Sequence, residues 1–252
     1  MLVVTGAGIS LASGIPTFRG TDPGAVWANE VMEKGKYDFF LRKPHESWHI
    51  YLQRAELARA AKPNPAHFTL AQWERWQAQQ GRAFTLVTQN VDTLHEQAGS
   101  RALIKVHGSL DRARCTKRGC ENGAPRGSVP LESVDFGRFR AFPSPRTVPR
   151  CPRCNKRMRP HILWFDEFYA EHQDYGIQQV VERAKRSRLV LFIGTSFSVG
   201  VTDRVSNIAL LREAKVLSID PSGASRVPGI EVIPERAEEL LPRWIQALTE
   251  SP

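Results

Sequence analysis

The stretch that decides the fold is Leu2-Val3-Val4-Thr5-Gly6-Ala7-Gly8. Its apolar and β-branched residues are typical of a buried strand, and its glycines allow a tight turn into a following helix. Backbone amides in such a turn can approach a pyrophosphate, and the helix N-terminus adds positive potential. A purely structural turn is the alternative, because Leu11 stands where the usual dinucleotide spacing has a third glycine or alanine.

Four further apolar runs resemble this one and alternate with helix-like stretches. The runs are Phe84–Thr88, Leu103–Val106, Leu189–Ile193 and Val216–Ile219. The helix-like stretches are His45–Ala61, Pro65–Gln80, Tyr175–Ser187, Thr202–Ala214 and Glu235–Leu248. This alternation predicts an α/β fold with a Rossmann-like, doubly wound parallel sheet.

Two insertions interrupt the alternation. Residues 21–82 are largely helical in pattern, whereas residues 111–160 are rich in proline, glycine and arginine and contain all four cysteines. We therefore predict a Rossmann-like domain formed by residues 1–20, 83–110 and 161–252. The two insertions would form a smaller domain.

The cysteines form two close pairs. Four residues separate Cys115 from Cys120 and two separate Cys151 from Cys154, with thirty residues between the pairs. This spacing predicts a zinc ribbon in which four thiolates bind zinc and replace a missing apolar core. Two disulfides, or a thioredoxin-like redox pair at Cys151 and Cys154, are the alternatives. Four thiolates leave no position for water, so this zinc would be structural.

Glycines and polar residues follow the predicted strands. Ligands of open parallel sheets bind beyond the carboxyl ends of the strands, so these residues are candidates for a binding site. They are Gly6–Gly8, Gln89–Asp92, His107–Ser109, Gly194–Ser196 and Asp220. Gln89 and Asn90 stand where an ordinary dehydrogenase has an acidic residue, which disfavours hydride transfer.

His107 is a candidate general base. It ends a predicted strand at the ligand edge, and an imidazole near its unperturbed pKa accepts a proton at neutral pH. We expect the other histidines to have capping, surface or packing roles; they are His45, His49, His67, His95, His161 and His172.

Composition limits the possible partners. The chain has 252 residues, 41% of them hydrophobic, and carries a formal net charge of +9. A solvated basic face explains this charge better than nucleic-acid binding does. No apolar run approaches the roughly 20 residues of a membrane span, and residues 1–4 lead into the glycine-rich loop rather than forming a signal peptide. We expect a cytoplasmic protein without membrane contact; the sequence does not fix its oligomeric state and is compatible with a monomer.

Several motifs together resemble the sirtuin family. They are residues 6–20 (GAGISLASGIPTFRG), residues 88–95 (TQNVDTLH) with Ala98-Gly99, residues 106–109 (VHGS), the cysteine pairs, residues 159–165 (RPHILWF) and residues 194–196 (GTS). They follow the family's order and cover essentially the whole chain. The chain is most similar to the bacterial class III, or desuccinylase-type, sirtuins.

The resemblance implies an NAD-dependent lysine deacylase with its cleft between the two domains. NAD would be consumed, one structural zinc bound, and the products would be free lysine, nicotinamide and O-acyl-ADP-ribose. The implied catalytic residues are His107, Asn90 and Gln89. The implied cofactor residues are Gly6, Ala7, Gly8, Phe18, Arg19, Gln89, Asn90, Asp92, Gly194, Thr195, Ser196, Asp220 and Ala237.

The substrates would be proteins or peptides that carry acylated lysine. Tyr51 and Arg54 lie three residues apart on one helix face and resemble the pair that binds the carboxylate of succinyl, malonyl or glutaryl groups. Trp164 and Phe165 would border the peptide in an extended segment, or simply pack in the core. Asp166 replaces the family's usual glycine, and Asp220 its frequent asparagine.

Two alternatives use the same sequence. A protein ADP-ribosyltransferase would keep the cleft, whereas His107 and the Tyr51/Arg54 pair favour deacylation. A non-enzymatic zinc-ribbon protein that binds nucleic acid would leave the residues Gln89–Asp92 and His107 unexplained.

Overall fold

A parallel sheet of six strands forms the larger part of the molecule. The computed structural model describes residues 1–17, 32–223 and 227–250. The strands are β1 (Leu2–Thr5), β2 (Thr85–Thr88), β3 (Leu103–Lys105), β7 (Leu189–Ile193), β8 (Lys215–Ile219) and β9 (Glu231–Ile233). Their order in the sheet is β3-β2-β1-β7-β8-β9.

Helices cover both faces of this sheet. The α-helices in the described part of the chain, including those of the smaller module, are α1 (Tyr37–Arg42), α2 (Pro44–Ala60), α3 (Pro65–Gln79), α4 (Leu94–Gln97), α5 (Gly137–Ala141), α6 (Ile177–Arg186), α7 (Gly200–Leu211) and α8 (Ala237–Glu250). Helices α3 and α8 pack together over one face, where Leu70 and Leu241 are fully buried. Helices α6 and α7 pack over the other, with Val180 and Val205 buried. The two central strands, β1 and β7, are apolar except for Thr5 because both of their faces are covered.

The predicted fold class is confirmed: a doubly wound parallel sheet accompanies a smaller module. The observed ends of the predicted strands and helices differ from expectation by at most three residues. Strand β9 was missed because its three residues carry too short a pattern to stand out. The α-helix expected directly after Gly8 is instead a 3₁₀-helix, Ala7–Ser13.

The strand order places a crevice at the middle of the sheet. Strand β1 pairs with β2 on one side and with β7 on the other, so the chain connections diverge to opposite sides at this point. Such a switch point is where open α/β sheets bind ligands. The loops that leave β1 and β7, which begin at Gly6 and Gly194, therefore border a ligand crevice.

The smaller module contains a second, antiparallel sheet. It consists of β4 (Gly108–Cys115), β5 (Val129–Pro130) and β6 (Met158–Ile162), in the order β5-β4-β6. Helix α2 packs on it through the buried side chains of Trp48 and Tyr51. This sheet extends two or three residues beyond the expected insertion 111–160; the division into domains remains a prediction.

Among the described residues, none of the helices has both the length and the apolar character that crossing a bilayer requires.

Candidate active site

A cleft of about 500 Å³ lies at the switch point of the large sheet. It is bordered by most of the residues expected at the site. They are Gly6, Ala7, Gly8, Tyr51, Arg54, Gln89, Asn90, His107, Trp164, Phe165, Gly194, Thr195, Ser196, Asp220 and Ala237. Phe18 and Arg19 lie outside the described residues. Residues from both sheets and from helix α2 therefore meet at one cavity.

The glycines of the first loop pack against the loop after β7. The Gly8 amide donates to the Gly194 carbonyl at 2.9 Å, and a Cβ atom on Gly6 would lie 2.7 Å from that carbonyl oxygen. Gly194 has a positive φ of 58°, and a Cβ there would lie 2.4 Å from the Ile9 nitrogen. A side chain at any of these positions would separate the two loops. Close approach of the loops is thus a sufficient reason for these glycines.

Gln89 and Asn90 direct their amide nitrogens into the protein. Gln89 Nε2 donates to the Thr5 carbonyl at 3.2 Å and to Thr195 Oγ1 at 3.1 Å. Asn90 Nδ2 donates to the Gly6 carbonyl at 3.1 Å and to Ser10 Oγ at 3.0 Å. Because these contacts use both hydrogens of each amide, a ligand in the cleft can meet these side chains only at their carbonyl oxygens.

Asp92 is buried behind the cleft wall. Its carboxylate accepts hydrogen bonds from Ser10 Oγ at 3.1 Å and from the Leu94 amide at 3.0 Å. Within the described part of the chain, its neighbour Val91 borders the cleft and Asp92 does not. In this structure, Asp92 thus fixes Ser10 and the start of α4; its contact with a cofactor remains a prediction.

His107 has a fixed tautomer. Its Nδ1 lies 2.8 Å from the Gln89 carbonyl, which can only accept, so Nδ1 carries the proton and Nε2 the lone pair. Burial lowers the pKa of His107 to about 4, partly opposed by the Gln89 carbonyl. The imidazole was expected near its unperturbed pKa; it is instead neutral throughout the physiological range, and a weaker base.

The sequence did not single out Tyr169, which contacts His107. Its hydroxyl lies 3.1 Å from His107 Nε2, and the two rings stack with centroids 5.8 Å apart. Because Nε2 is the unprotonated nitrogen, the hydroxyl donates to it. Tyr169 stands in a short 3₁₀-helix, Tyr169–Glu171, whose sequence carries no periodicity or motif that could have indicated this contact.

Tyr51 and Arg54 lie together on α2 and border the cleft, as their spacing predicts. The Tyr51 hydroxyl accepts a hydrogen bond from Trp164 Nε1 at 2.6 Å. The Arg54 guanidinium carbon lies 5.5 Å from the centre of the Tyr51 ring. Burial raises the pKa of Tyr51 and lowers that of Arg54. A neutral phenol and a cation thus stand side by side at the cleft.

Trp164 and Phe165 differ in their surroundings. Trp164 is 2% exposed and packs against Tyr37 and Phe40, whereas Phe165 is 48% exposed. Both backbone amides donate within the chain: that of Trp164 to Glu167 and that of Phe165 to the Gly35 carbonyl. Pairing with a peptide at these two residues would therefore use their carbonyls or displace these contacts.

Asp166 caps a helix. Its carboxylate accepts hydrogen bonds from the amides of Tyr37, at 2.6 Å, and Asp38, at 3.1 Å, at the start of α1. Carboxylates at a helix N-terminus are favoured by its unpaired amides and positive potential. Asp166 thus attaches the segment after Trp164 to α1.

The four cysteines converge although they are far apart in sequence. Their sulfur atoms lie within 4.8 Å of one another, with 3.4 Å between Cys115 and Cys154 and 3.7 Å between Cys120 and Cys151. Tetrahedral zinc with Zn–S bonds of about 2.3 Å places sulfurs about 3.8 Å apart. None of the four forms a disulfide. The arrangement fits zinc and not two disulfides.

His67 and His95 have the structural roles expected of them. His67 Nδ1 accepts the Asn64 amide in the capping box of α3, and His95 Nε2 lies 3.0 Å from Thr5 Oγ1. Burial lowers the pKa of both residues, that of His67 to about 4. Both are therefore neutral packing residues beneath the cleft.

Comparison with known proteins identifies the family. The model of the Sir2 family matches residues 6–201 of the chain. The chain belongs to the Sir2 family. One Sir2 relative, an NAD-dependent protein deacylase of Thermus thermophilus, is 38% identical over 228 residues, which are 90% of this chain and 81% of the relative.

Solved Sir2 structures share the fold. An ADP-ribose complex of a mutated Sir2 homologue has a TM-score of 0.81 and 31% identity, covering 100% of this chain and 94% of that one. A Sir2 complex with a p53 peptide and NAD⁺ has a TM-score of 0.77 and 27% identity, covering 99% and 93%. The cleft of this Sir2 chain thus belongs to a fold that holds dinucleotide and peptide together in a relative.

Proposed function

We propose that this chain is an NAD-dependent deacylase acting on acylated lysine of proteins or peptides. The observation that carries the proposal is His107, whose unprotonated Nε2 stands at the cleft while its Nδ1–H is held by Gln89. Family membership and the deacylase relative agree with it. An oriented, unprotonated nitrogen at the cleft suits the proton transfer that deacylation requires.

The cleft suits NAD. The carbonyl oxygens of Gln89 and Asn90 are acceptors that match ribose hydroxyls and a carboxamide N–H. Asp220, at the end of β8, accepts the Ser222 amide through one carboxylate oxygen and borders the cleft. Its charge disfavours a nearby phosphate and suits a ribose hydroxyl, so we assign it to the adenosine half.

The reaction depends on orientation and on one proton transfer. When bound, NAD supplies an anomeric carbon whose bond to nicotinamide is exchanged for a bond to the acyl oxygen of the substrate. Gln89 and Asn90 would hold the sugar, which turns binding free energy into alignment of the weakly nucleophilic acyl oxygen. His107 Nε2 would then take the proton of a ribose hydroxyl, whose oxygen bonds to the former acyl carbon. Addition of water and departure of the lysine amine would leave free lysine and O-acyl-ADP-ribose. Its low pKa keeps this nitrogen unprotonated at neutral pH.

We assign the preference for acidic acyl groups to Tyr51 and Arg54. A guanidinium can donate two charge-assisted hydrogen bonds to a carboxylate, and the phenol adds a third donor. Trp164 Nε1 donates to the Tyr51 oxygen, which orients the phenol hydrogen away from the indole. The pair would thus recognise succinyl, malonyl or glutaryl groups, which acetyl groups do not match.

Zinc would hold the smaller module together. Cys115, Cys120, Cys151 and Cys154 would bind it, and their four sulfurs fill the coordination sphere. No step of the reaction needs this metal.

Four cysteines without a disulfide suit a reducing compartment, which supports a cytoplasmic location.

A panel of acyl-lysine peptides tests the function. Acetyl, succinyl, malonyl and glutaryl peptides are incubated with NAD, and products are identified by mass. Free lysine with O-acyl-ADP-ribose is expected, fastest for the acidic acyl groups. Unchanged peptides, or label from NAD appearing on protein instead of in a small molecule, would contradict deacylation.

A further inference from the structure

Two histidines and an aspartate form a cluster separate from the cleft and from the four cysteines. His161 lies in β6, His172 precedes the short 3₁₀-helix Gln173–Tyr175, and Asp174 lies within that helix. One ligand atom from each lies within 4.8 Å of the other two. Asp174 Oδ2 is 3.2 Å from His161 Nε2 and 3.6 Å from His172 Nδ1.

His161 is buried, and the nearby Asp174 carboxylate is poorly aligned for a hydrogen bond with it. Its side chain is 2% exposed, and neither ring nitrogen makes a well-aligned hydrogen bond among the described residues, even with Asp174 Oδ2 so close. A buried nitrogen left without a hydrogen bond, as Nδ1 is among the described residues, costs about 1–3 kcal/mol, so such groups usually have a structural or functional role. Burial also lowers the pKa of His161 to about 4, which leaves the ring neutral.

His172 is oriented as a metal ligand is. Its Nε2–H donates to the Gly127 carbonyl at 3.1 Å, which leaves the lone pair on Nδ1, the nitrogen nearer Asp174. Metal-bound histidines typically donate their second ring N–H to a carbonyl or carboxylate in this way. At present Nδ1 accepts the Asp174 amide at 3.2 Å, a contact that a metal ion would replace.

We propose that His161, His172 and Asp174 form a second metal site, for a divalent transition metal of the zinc or cobalt type. Two imidazoles and one carboxylate are a donor set that such ions prefer, and water would complete the coordination. Bonds of about 2.0–2.2 Å in a tetrahedral site place donor atoms about 3.3 Å apart. The observed 3.2 and 3.6 Å are close to this spacing.

The residues around the three ligands determine how a metal ion enters the site and how tightly it binds. Asp174 is 44% exposed, so an ion can enter from solvent on its side. Arg112 and Arg114 lie near enough to lower the pKa of His172, after the larger effect of burial. Arg114 is ion-paired with Glu167 at 3.2 Å, which reduces its repulsion of a cation. We expect weaker binding here than at the four cysteines.

The metal would join three parts of the molecule. His161 precedes Ile162, which pairs with Gly108 beside the catalytic histidine. The segment that follows Trp164 and Phe165 contributes His172 and Asp174. The cysteine-containing module contributes Gly127, which contacts His172, and Ser128, which contacts Asp174. A metal ion bound by these three residues would therefore make the connection between the module and the cleft more rigid.

Cobalt binding tests the proposal directly. The full-length, zinc-loaded protein is titrated with Co²⁺ while metal analysis verifies that zinc remains bound. One further cobalt per chain is expected, with visible absorption of nitrogen and oxygen coordination and without the intense bands of cobalt–thiolate bonds. No second metal, or a thiolate spectrum, would overturn the proposal.

Three variants locate the ion. His172→Gln and Asp174→Asn should each weaken cobalt binding at least tenfold, whereas His49→Gln, a change at an exposed histidine of α2, should leave it unchanged. Circular dichroism verifies that each variant is folded, and Asp174→Asn, at a half-exposed position, is the variant least sensitive to misfolding. If Asp174→Asn bound cobalt as tightly as the unmodified protein, Asp174 would not be a metal ligand, and the cluster would be only a buried histidine–aspartate contact.

Discussion

Replacement of Tyr169 by phenylalanine is expected to increase the efficiency with which the enzyme uses NAD. The Tyr169 hydroxyl donates to His107 Nε2 at 3.1 Å, the nitrogen that must take a proton from the ribose. A ribose hydroxyl can reach this lone pair only after the phenol leaves it. Tyr169→Phe removes the competing donor while keeping the ring that stacks on the imidazole. The Gln89 carbonyl continues to fix the tautomer.

The size of the expected gain in kcat/KM follows from the loss of one neutral hydrogen bond. Its net contribution of about 1 kcal/mol corresponds to a gain of about fivefold in kcat/KM for NAD. The same bond stabilises the neutral imidazole, so its loss raises the pKa of His107 from about 4. Since a base is inactive when protonated, the acid limb of the kcat/KM profile moves to higher pH.

The assay is nicotinamide release with a succinyl peptide at varied NAD concentration and pH. Tyr175→Phe is the matched control, because it removes a buried hydroxyl that has no partner among the described residues. An unchanged acid limb in Tyr169→Phe would refute the competition argument. A loss of kcat/KM at neutral pH would mean that the phenol supports the base rather than blocking it.

Four further outcomes are expected. His107→Ala lowers kcat/KM about 10²–10⁴-fold without unfolding, measured by product mass and thermal melting. Arg54→Met slows desuccinylation about tenfold or more, since a charge-assisted hydrogen bond contributes about 1.5–3 kcal/mol, and leaves deacetylation nearly unchanged. Cys151→Ala abolishes tight zinc binding in metal analysis and disorders the module in near-ultraviolet circular dichroism. Melting temperature falls as pH decreases from about 6.5 to about 4, and less so in His67→Gln.

The direction in which pH changes the stability follows from the pKa of His67. The folded-state pKa of His67 is depressed, so the unfolded chain takes up a proton first and stability is lost as pH falls below about 6.5. Glutamine at this position can still accept the Asn64 amide in the capping box. An identical pH dependence of melting in both proteins would contradict this.

The other outcomes are equally open to contradiction. Product formation that survives His107→Ala would remove the base assignment. Equal losses on matched acetyl and succinyl peptides in Arg54→Met would remove carboxylate recognition. One tightly bound zinc that persists in Cys151→Ala would show that the four sulfurs do not share the metal.

The sequence by itself determined the fold class and most of the residues at the cleft. Strands such as Leu189–Ile193 are buried on both faces, so their continuous apolar runs ending in glycine are visible without structure. The cysteine spacing and the Tyr51/Arg54 separation are also local, because a knuckle or one helix face is set within a few residues.

Only the tertiary structure decided which partners these residues meet. The pKa of His107 depends on burial and on Gln89. The lone pair of His107 accepts the hydroxyl of Tyr169, which is 62 residues away along the chain. The contact of Gly8 with Gly194 likewise joins distant loops. Such contacts result from how the strands are ordered and how the two sheets meet, and no local pattern of apolar residues or spacing encodes them.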